Sequence, residues 1–211
     1  MSKDKTNNHK IIIEEAKKEF LEYGFAKASL RRIAASAGMS ASGMYKHFPS
    51  KEAMFGELIK PAYDDFLDIF RNGTEYDYEE ESVENLRRML EGSEVTKIIN
   101  YVYDNYDAFK LVICKSQGTK YENFIEELSL IDEMGTLKFI DALRKKGEPI
   151  KDINKEEFHM LAITYATAMF KPVEFDYPKE KAIHYAKTMD EFFAPAWKSF
   201  FYLEVDKSKS K

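Results

Sequence analysis

Between Ser29 and Phe48 the chain reads SLRRIAASAGMSASGMYKHF, and these residue types suit close contact with a nucleic acid. Ser40, Ala41, Ser42 and Gly43 are consecutive small residues. A helix that enters a major groove needs small or hydrogen-bonding side chains, because its backbone must come near the base edges. Tyr45, Lys46 and His47 follow at what would be the rim of the groove. Tyr45 and His47 can donate to phosphates, and Lys46 can meet a phosphate or a guanine edge. Met39, Met44 and Phe48 are expected to face inward and hold that helix to its domain. Just upstream, Leu30, Ile33, Ala34 and Ala37 repeat at i, i+3, i+4 and i+7, which is the stripe of a short helix capped by Ser29. Gly38 breaks it. Two short helices joined by a tight glycine turn form a helix-turn-helix.

Charge supports this placement. The 211 residues carry a net charge of −5, which taken whole argues against a nucleic-acid partner. Residues 1–60, however, hold 11 Lys and Arg against 7 Asp and Glu, and the remainder 21 against 30. A basic head meets an anion, and an acidic body does not.

The elements that must position these residues are helices throughout. Glycine and proline are sparse, and nearly every segment shows helical spacing, so an all-α fold of about nine helices is expected. The first spans about His9 to Tyr23, closed by Gly24. Ser40 opens the short groove helix, which reaches about Phe48. Ser50 opens a fourth helix to about Phe70, with Pro61 inside it. The acidic NGTEYDYEEES stretch reads as a solvated connection. Helical spacing returns from Ser82 to about Lys115, with an irregularity near Gly92-Ser93. It continues as one long helix from Gln117 to Lys146, then from Asn154 to about Phe170, and from Pro178 onward. One cysteine, Cys114, excludes an internal disulfide, and its LVI flank reads as buried and inert. With no apolar leader or membrane-length run, the expected place is the cytoplasm.

The segment SLRRIAASAGMSASGMYKHFPSKEAMF, with IIIEEAKKEFLEYGFAKAS before it, resembles the DNA-binding domain of the TetR (tetracycline-repressor) family of bacterial transcriptional regulators. The resemblance covers about residues 9–58. It rests on Ile33-Ala34, Ala37-Gly38, Tyr45, His47-Phe48 and Ser50-Lys51, with Ser29 where the family usually has Thr. FFAPAWK near the end resembles a common closing feature. The resemblance implies phosphate contacts from Ser29, Tyr45 and Lys51, and a base-edge or phosphate contact from Arg31. It also implies a recognition face of Ser40, Ala41, Ser42, Gly43, Lys46 and His47. Arg32 is expected to face solvent.

The resemblance further implies a DNA-binding domain over residues 1–52 and a helical ligand-binding and dimerisation domain over 53–211. Its partners would be a palindromic double-stranded DNA operator, a second copy of the chain and a small-molecule inducer, with no membrane. Tyr101, Tyr103, Tyr106, Cys114, Tyr121, Phe124, Met134, Phe139 and His159 are candidates to line a pocket. Ala162 and Ala166, small enough for close helix approach, and Phe192, Phe193, Trp197 and Phe200 are candidates for the dimer interface. No cofactor, metal site or enzyme activity is expected. The zincin motif, the phosphate-cradling glycine loop and the nucleophile elbow are absent, and His9, His47, His159 and His184 are scattered. The alternative reading is a helical protein-interaction module without specific DNA binding.

Overall fold

A computed structural model describes residues 2–91 and 94–199. They form ten helices and no strand among the described residues: α1 (Ser2–Lys27), α2 (Leu30–Ser36), α3 (Ala41–Met44), α4 (Lys51–Glu75), α5 (Val83–Glu91), α6 (Val95–Asp104), α7 (Tyr106–Cys114), α8 (Phe124–Lys145), α9 (Lys155–Glu174) and α10 (Lys179–Lys198). The all-α expectation holds. Gly24 kinks α1, with φ 73 and ψ 163. The expected irregularity at Gly92-Ser93 lies outside the described residues.

The chain packs as two compact units. The first comprises the described residues within 1–66 and 104–124, and the second those within 67–103 and 125–211. The first unit therefore takes in α7 and the turns after it, a segment that sequence reading had assigned to the body. The single helix expected from Gln117 to Lys146 is shorter, because Ser116 to Tyr121 folds on itself. There Thr119 Oγ1 donates to Ser116 O at 2.7 Å and Tyr121 N to Thr119 Oγ1 at 3.1 Å. α4 outruns its expected end at Phe70. Asn72-Gly73-Thr74, expected in the acidic connection, is helical instead, and Thr74 Oγ1 donates to Arg71 O at 2.8 Å.

Aromatic rings fill the core of the first unit. Phe20 meets Phe55 edge-on at 5.2 Å, Tyr63 meets Tyr121 at 5.2 Å and Phe66 meets Phe109 at 5.0 Å. Each buried Phe contributes roughly 2–3 kcal/mol through area removed from water. α7 is tied in by Phe25 N donating to Lys115 O at 2.8 Å. In the second unit Leu86, Phe139, Ile140, Ala142 and Leu143 form one cluster, with Tyr78, Ile150 and Ile153 against it.

Candidate nucleic-acid interface and candidate ligand cavity

The helix-turn-helix forms because each end is capped. Ser29 is extended at φ −114 and accepts from Arg32 N, which opens α2. Gly38, at φ 69, takes the left-handed turn that L side chains rarely adopt. Ser40 then caps α3, accepting from Gly43 N at 3.1 Å, and its Oγ also lies 3.1 Å from Ser42 Oγ. Met44 and Phe48 are buried as expected, whereas Met39 is half-buried. The ring of His9 stacks on Phe48 at 4.6 Å, and its Nε2 meets Glu57.

Opposite these anchors, Arg31, Ser40, Ser42, Tyr45 and Lys46 are exposed, and Ala41, Gly43 and His47 half-buried. Among the described residues Arg31 and Lys46 have no anionic partner. The face is thus small, polar and cationic.

Two residues behave differently from expectation. Lys51 Nζ donates to Phe25 O at 2.6 Å and Ala28 O at 3.2 Å and lies over the Phe25 ring at 4.4 Å. Burial pushes its ammonium below the ordinary value, with Glu19 acting the other way. Its charge is spent on clamping the turn between α1 and α2. Arg32 does not simply face solvent. Its Nε donates to both Glu19 oxygens at 2.9 and 3.1 Å, and its guanidinium lies 4.4 Å from the centre of the Tyr23 ring. Glu19 also accepts from Ser29 N at 2.8 Å, so this carboxylate fixes the start of α2. Glu19 sits on α1 beside a predicted apolar stripe, and nothing in its spacing marked it.

The second unit holds a cavity, open to solvent, of about 470 Å³, lined by Ile69, Phe70 and Gly73 of α4, Tyr78 after it, Met89 of α5, Asp132, Gly135, Thr136, Phe139 and Ile140 of α8, Ile153, and Phe158, Ala162, Tyr165 and Trp197 of α9 and α10. Its size is that of a small-molecule site. A smaller cavity of about 200 Å³ shares Phe70, Asp132, Ala162 and Tyr165 with it.

Of the expected pocket residues, Phe139 lines the larger cavity. Tyr106, Cys114, Tyr121 and Phe124 belong to the first unit, where Tyr121 and Phe124 are ordinary core and Cys114 is exposed rather than buried. Tyr101 and Tyr103 line neither cavity, and Tyr103 donates to Tyr177 O at 2.8 Å. Met134 is exposed, and His159 Nδ1 is 2.8 Å from Glu133 Oε2. Several interface candidates also sit elsewhere. Ala162 and Ala166 are buried within the chain, and Trp197 lines the cavity with its ring 5.6 Å from Phe158. Phe193 packs on Tyr165 at 5.3 Å, Phe192 is 76% exposed, and Phe200 lies outside the described residues.

Asp132 went unnoticed in the sequence, where it looks like any acid on a helix. It keeps accessible surface, on the wall that both cavities share. Burial pushes its carboxyl up to about 6. The Tyr165 hydroxyl is pushed up to about 12, first by burial and then by Asp190 and Asp132. A raised carboxyl value means that the charge costs stability above about pH 6, and that the cost fades as pH falls toward the unfolded value of 3.8. Asp132→Asn is therefore expected to stabilise the second unit at pH 8 by about 1 kcal/mol, discounted for water in the cavity, with no gain near pH 4. Urea midpoints of the two proteins at both pH values check this, since every other group is common to both and cancels in the difference. A gain that persists at pH 4 contradicts it.

The profile of the family described as bacterial regulatory proteins, tetR family, matches residues 12–58. The HTH-type transcriptional repressor Rv1474c of Mycobacterium tuberculosis is 39% identical over 49 residues, 23% of this chain and 26% of that protein. The HTH-type transcriptional repressor DhaR of Mycobacterium sp. is 26% identical over 123 residues, 58% of this chain and 53% of that one. The chain thus spans from a quarter to about half the length of these curated relatives. Among solved structures, NalD of Pseudomonas aeruginosa, the secondary repressor of the MexAB-OprM multidrug efflux pump, aligns over 95% of this chain and 98% of its own at a TM-score of 0.62 and 12% identity. That likeness is one of fold.

Proposed function

We propose that this chain, whose residues 12–58 match the tetR-family profile, is a repressor of the TetR family of bacterial transcriptional regulators that binds a palindromic operator as a homodimer and is released by a small molecule. The observation that carries the DNA reading is the exposed face of Ser40, Ser42, Tyr45 and Lys46 on buried anchors, with Arg31 and Lys46 unpaired among the described residues. Residues 1–52 act as the DNA head and 53–211 as the ligand-binding and dimerising body, in the cytoplasm where the DNA is. Two heads on a twofold axis would reach successive major grooves about 34–36 Å apart. Met160, Leu161 and Phe192, exposed apolar side chains on α9 and α10, support a dimer face there.

α4 supports the coupling. It begins at Lys51 in the head, and its last turns, at Ile69, Phe70 and Gly73, line the cavity. A ligand in the cavity bears on that end of α4, and a change in DNA affinity follows from its differential binding to the two states.

The test is a shift assay on the DNA flanking the chain's own gene, at several salt concentrations. A palindromic site bound with a steep salt slope is the expected outcome. Binding without sequence preference, or none, favours an interaction module instead. Tyr45→Phe removes a phosphate donor and is expected to weaken all sequences alike by a few fold, whereas Lys46→Ala lowers the salt slope by about one unit. A sequence-selective loss from Tyr45→Phe would contradict its phosphate role. Lys51→Ala is expected to act through the stability of the head, because its ammonium already has carbonyl partners.

A further inference from the structure

The walls of the larger cavity are mostly apolar and aromatic, and among the described residues Asp132 is the one charged residue lining it. The smaller cavity adds Glu94 and Asp190, and no Lys, Arg or His among the described residues lines either chamber. Glu94 is met by Lys97 at 2.6 Å. Asp132 and Asp190 have neither a hydrogen bond nor an ion pair among the described residues. Asp132 keeps accessible surface, so its charge faces the chamber beside apolar and aromatic walls, with no protein cation against it among the described residues. A carboxylate so placed favours an opposite charge that enters beside it.

A partner from outside the chain has to be a cation or a strong hydrogen-bond donor. A bound metal ion fits poorly, because no group of three or more His, Cys, Asp or Glu suited to one occurs among the described residues, and hard ions need several oxygen ligands. The rings do fit an organic cation. Phe158 and Tyr165 stand nearly perpendicular to Trp197, at 73° and 86°, and aromatic faces attract substituted ammonium groups.

We propose that the cavity takes an amphiphilic organic cation, an amine or quaternary ammonium whose charge lies at Asp132 and whose apolar tail fills the aromatic chamber. This rests on the reading of the cavity as the inducer site and narrows its ligand class. The smaller chamber, with Asp190 on its wall, extends the same negative field.

Trp197 is the one tryptophan in the sequence and lines the cavity, so its fluorescence reports occupancy. The probes are phenylhexyl-trimethylammonium, phenylhexanol and phenylhexanoate, which share a tail and differ in charge, titrated into the full chain. The expected result is that the cation binds at least about tenfold tighter than the alcohol, a difference of about 1.4 kcal/mol, with the carboxylate weakest. In Asp132→Asn the lead of the cation over the alcohol falls to about twofold or less. An alcohol or carboxylate that matches the cation, a preference that survives Asp132→Asn, or no binding by any of the three overturns the proposal. Should the variant fail to fold, the charge series on the unaltered protein decides. Operator affinity measured alongside separates the two readings. Cation preference with unchanged operator affinity supports this site and overturns induced release. Operator release by the uncharged probe without cation preference does the reverse.

Discussion

Replacing Arg32 by Ala is expected to destabilise the first unit, read as a lower urea midpoint at neutral pH, and to flatten its loss of stability in acid. Glu19 is 8% exposed, and Arg32 supplies most of its hydrogen bonds. Removing one partner of a buried pair leaves an uncompensated charge, which costs about 3–5 kcal/mol when burial is complete. The cost here is smaller because Ser29 N still donates and water reaches the guanidinium side. Burial raises the Glu19 carboxyl, but the bonds from Arg32 and Ser29 outweigh it and hold it below the ordinary 4.5. A depressed carboxyl contributes stability that is fully present above about pH 4.5 and is lost as pH falls through the lower folded value. Arg32→Ala removes most of that contribution, so its urea midpoint should vary less between pH 6 and pH 3. Amide exchange over residues 29–48 should quicken at neutral pH, since Ser29 N and the start of α2 hang on the same carboxylate. Equal acid slopes in the two proteins would rule this account out.

This clamp marks where sequence reading stops. Helical periodicity gives Leu30, Ile33 and Ala34 as one stripe and Ser29 and Ser40 as caps, because those signals are local, and the helix-turn-helix was legible from them. The pairing of Glu19 with Arg32 is not local. It depends on how α1 and α2 cross, which a stripe does not encode. The same gap explains the cavity. Tyr121 and Phe124 are aromatic and inward-facing, but the turn at Ser116 to Tyr121 sends them into the core of the first unit. Asp132 sits in the acidic run of α8, where spacing alone reads it as solvated. Only the meeting of α4, α8, α9 and α10 turns that position into the lining of a chamber. Ala162, expected to let a second chain approach, instead lines the cavity and leaves it space.

A valine at Gly135 is expected to act as a built-in wedge, weakening operator binding about tenfold in the absence of any ligand. A Cβ at Gly135 would stand 3.4 Å from the carbonyl carbon and 3.6 Å from the oxygen of Gly73, so Ala already fills the gap at ordinary contact, and anything larger presses on backbone that cannot rotate away. Valine adds two methyl groups, and overpacking of this kind costs about 1–3 kcal/mol. Gly73 is in α4, and both glycines line the larger cavity. The strain therefore enters where the proposed ligand would bear on α4. If α4 carries the coupling, the wedge shifts the equilibrium toward the low-affinity state by its differential cost in the two states, and about 1.4 kcal/mol of it suffices for a tenfold change. Destabilisation alone must be set apart from this. Leu143→Ala supplies the control: Leu143 is fully buried in the cluster with Leu86, lines neither cavity, and its truncation costs about 2–5 kcal/mol. Operator affinity, measured for both variants below their unfolding temperatures, should fall for Gly135→Val and hold for Leu143→Ala. A parallel fall in both would assign the effect to general loosening of the second unit, and an unchanged affinity in Gly135→Val would remove α4 from the release mechanism.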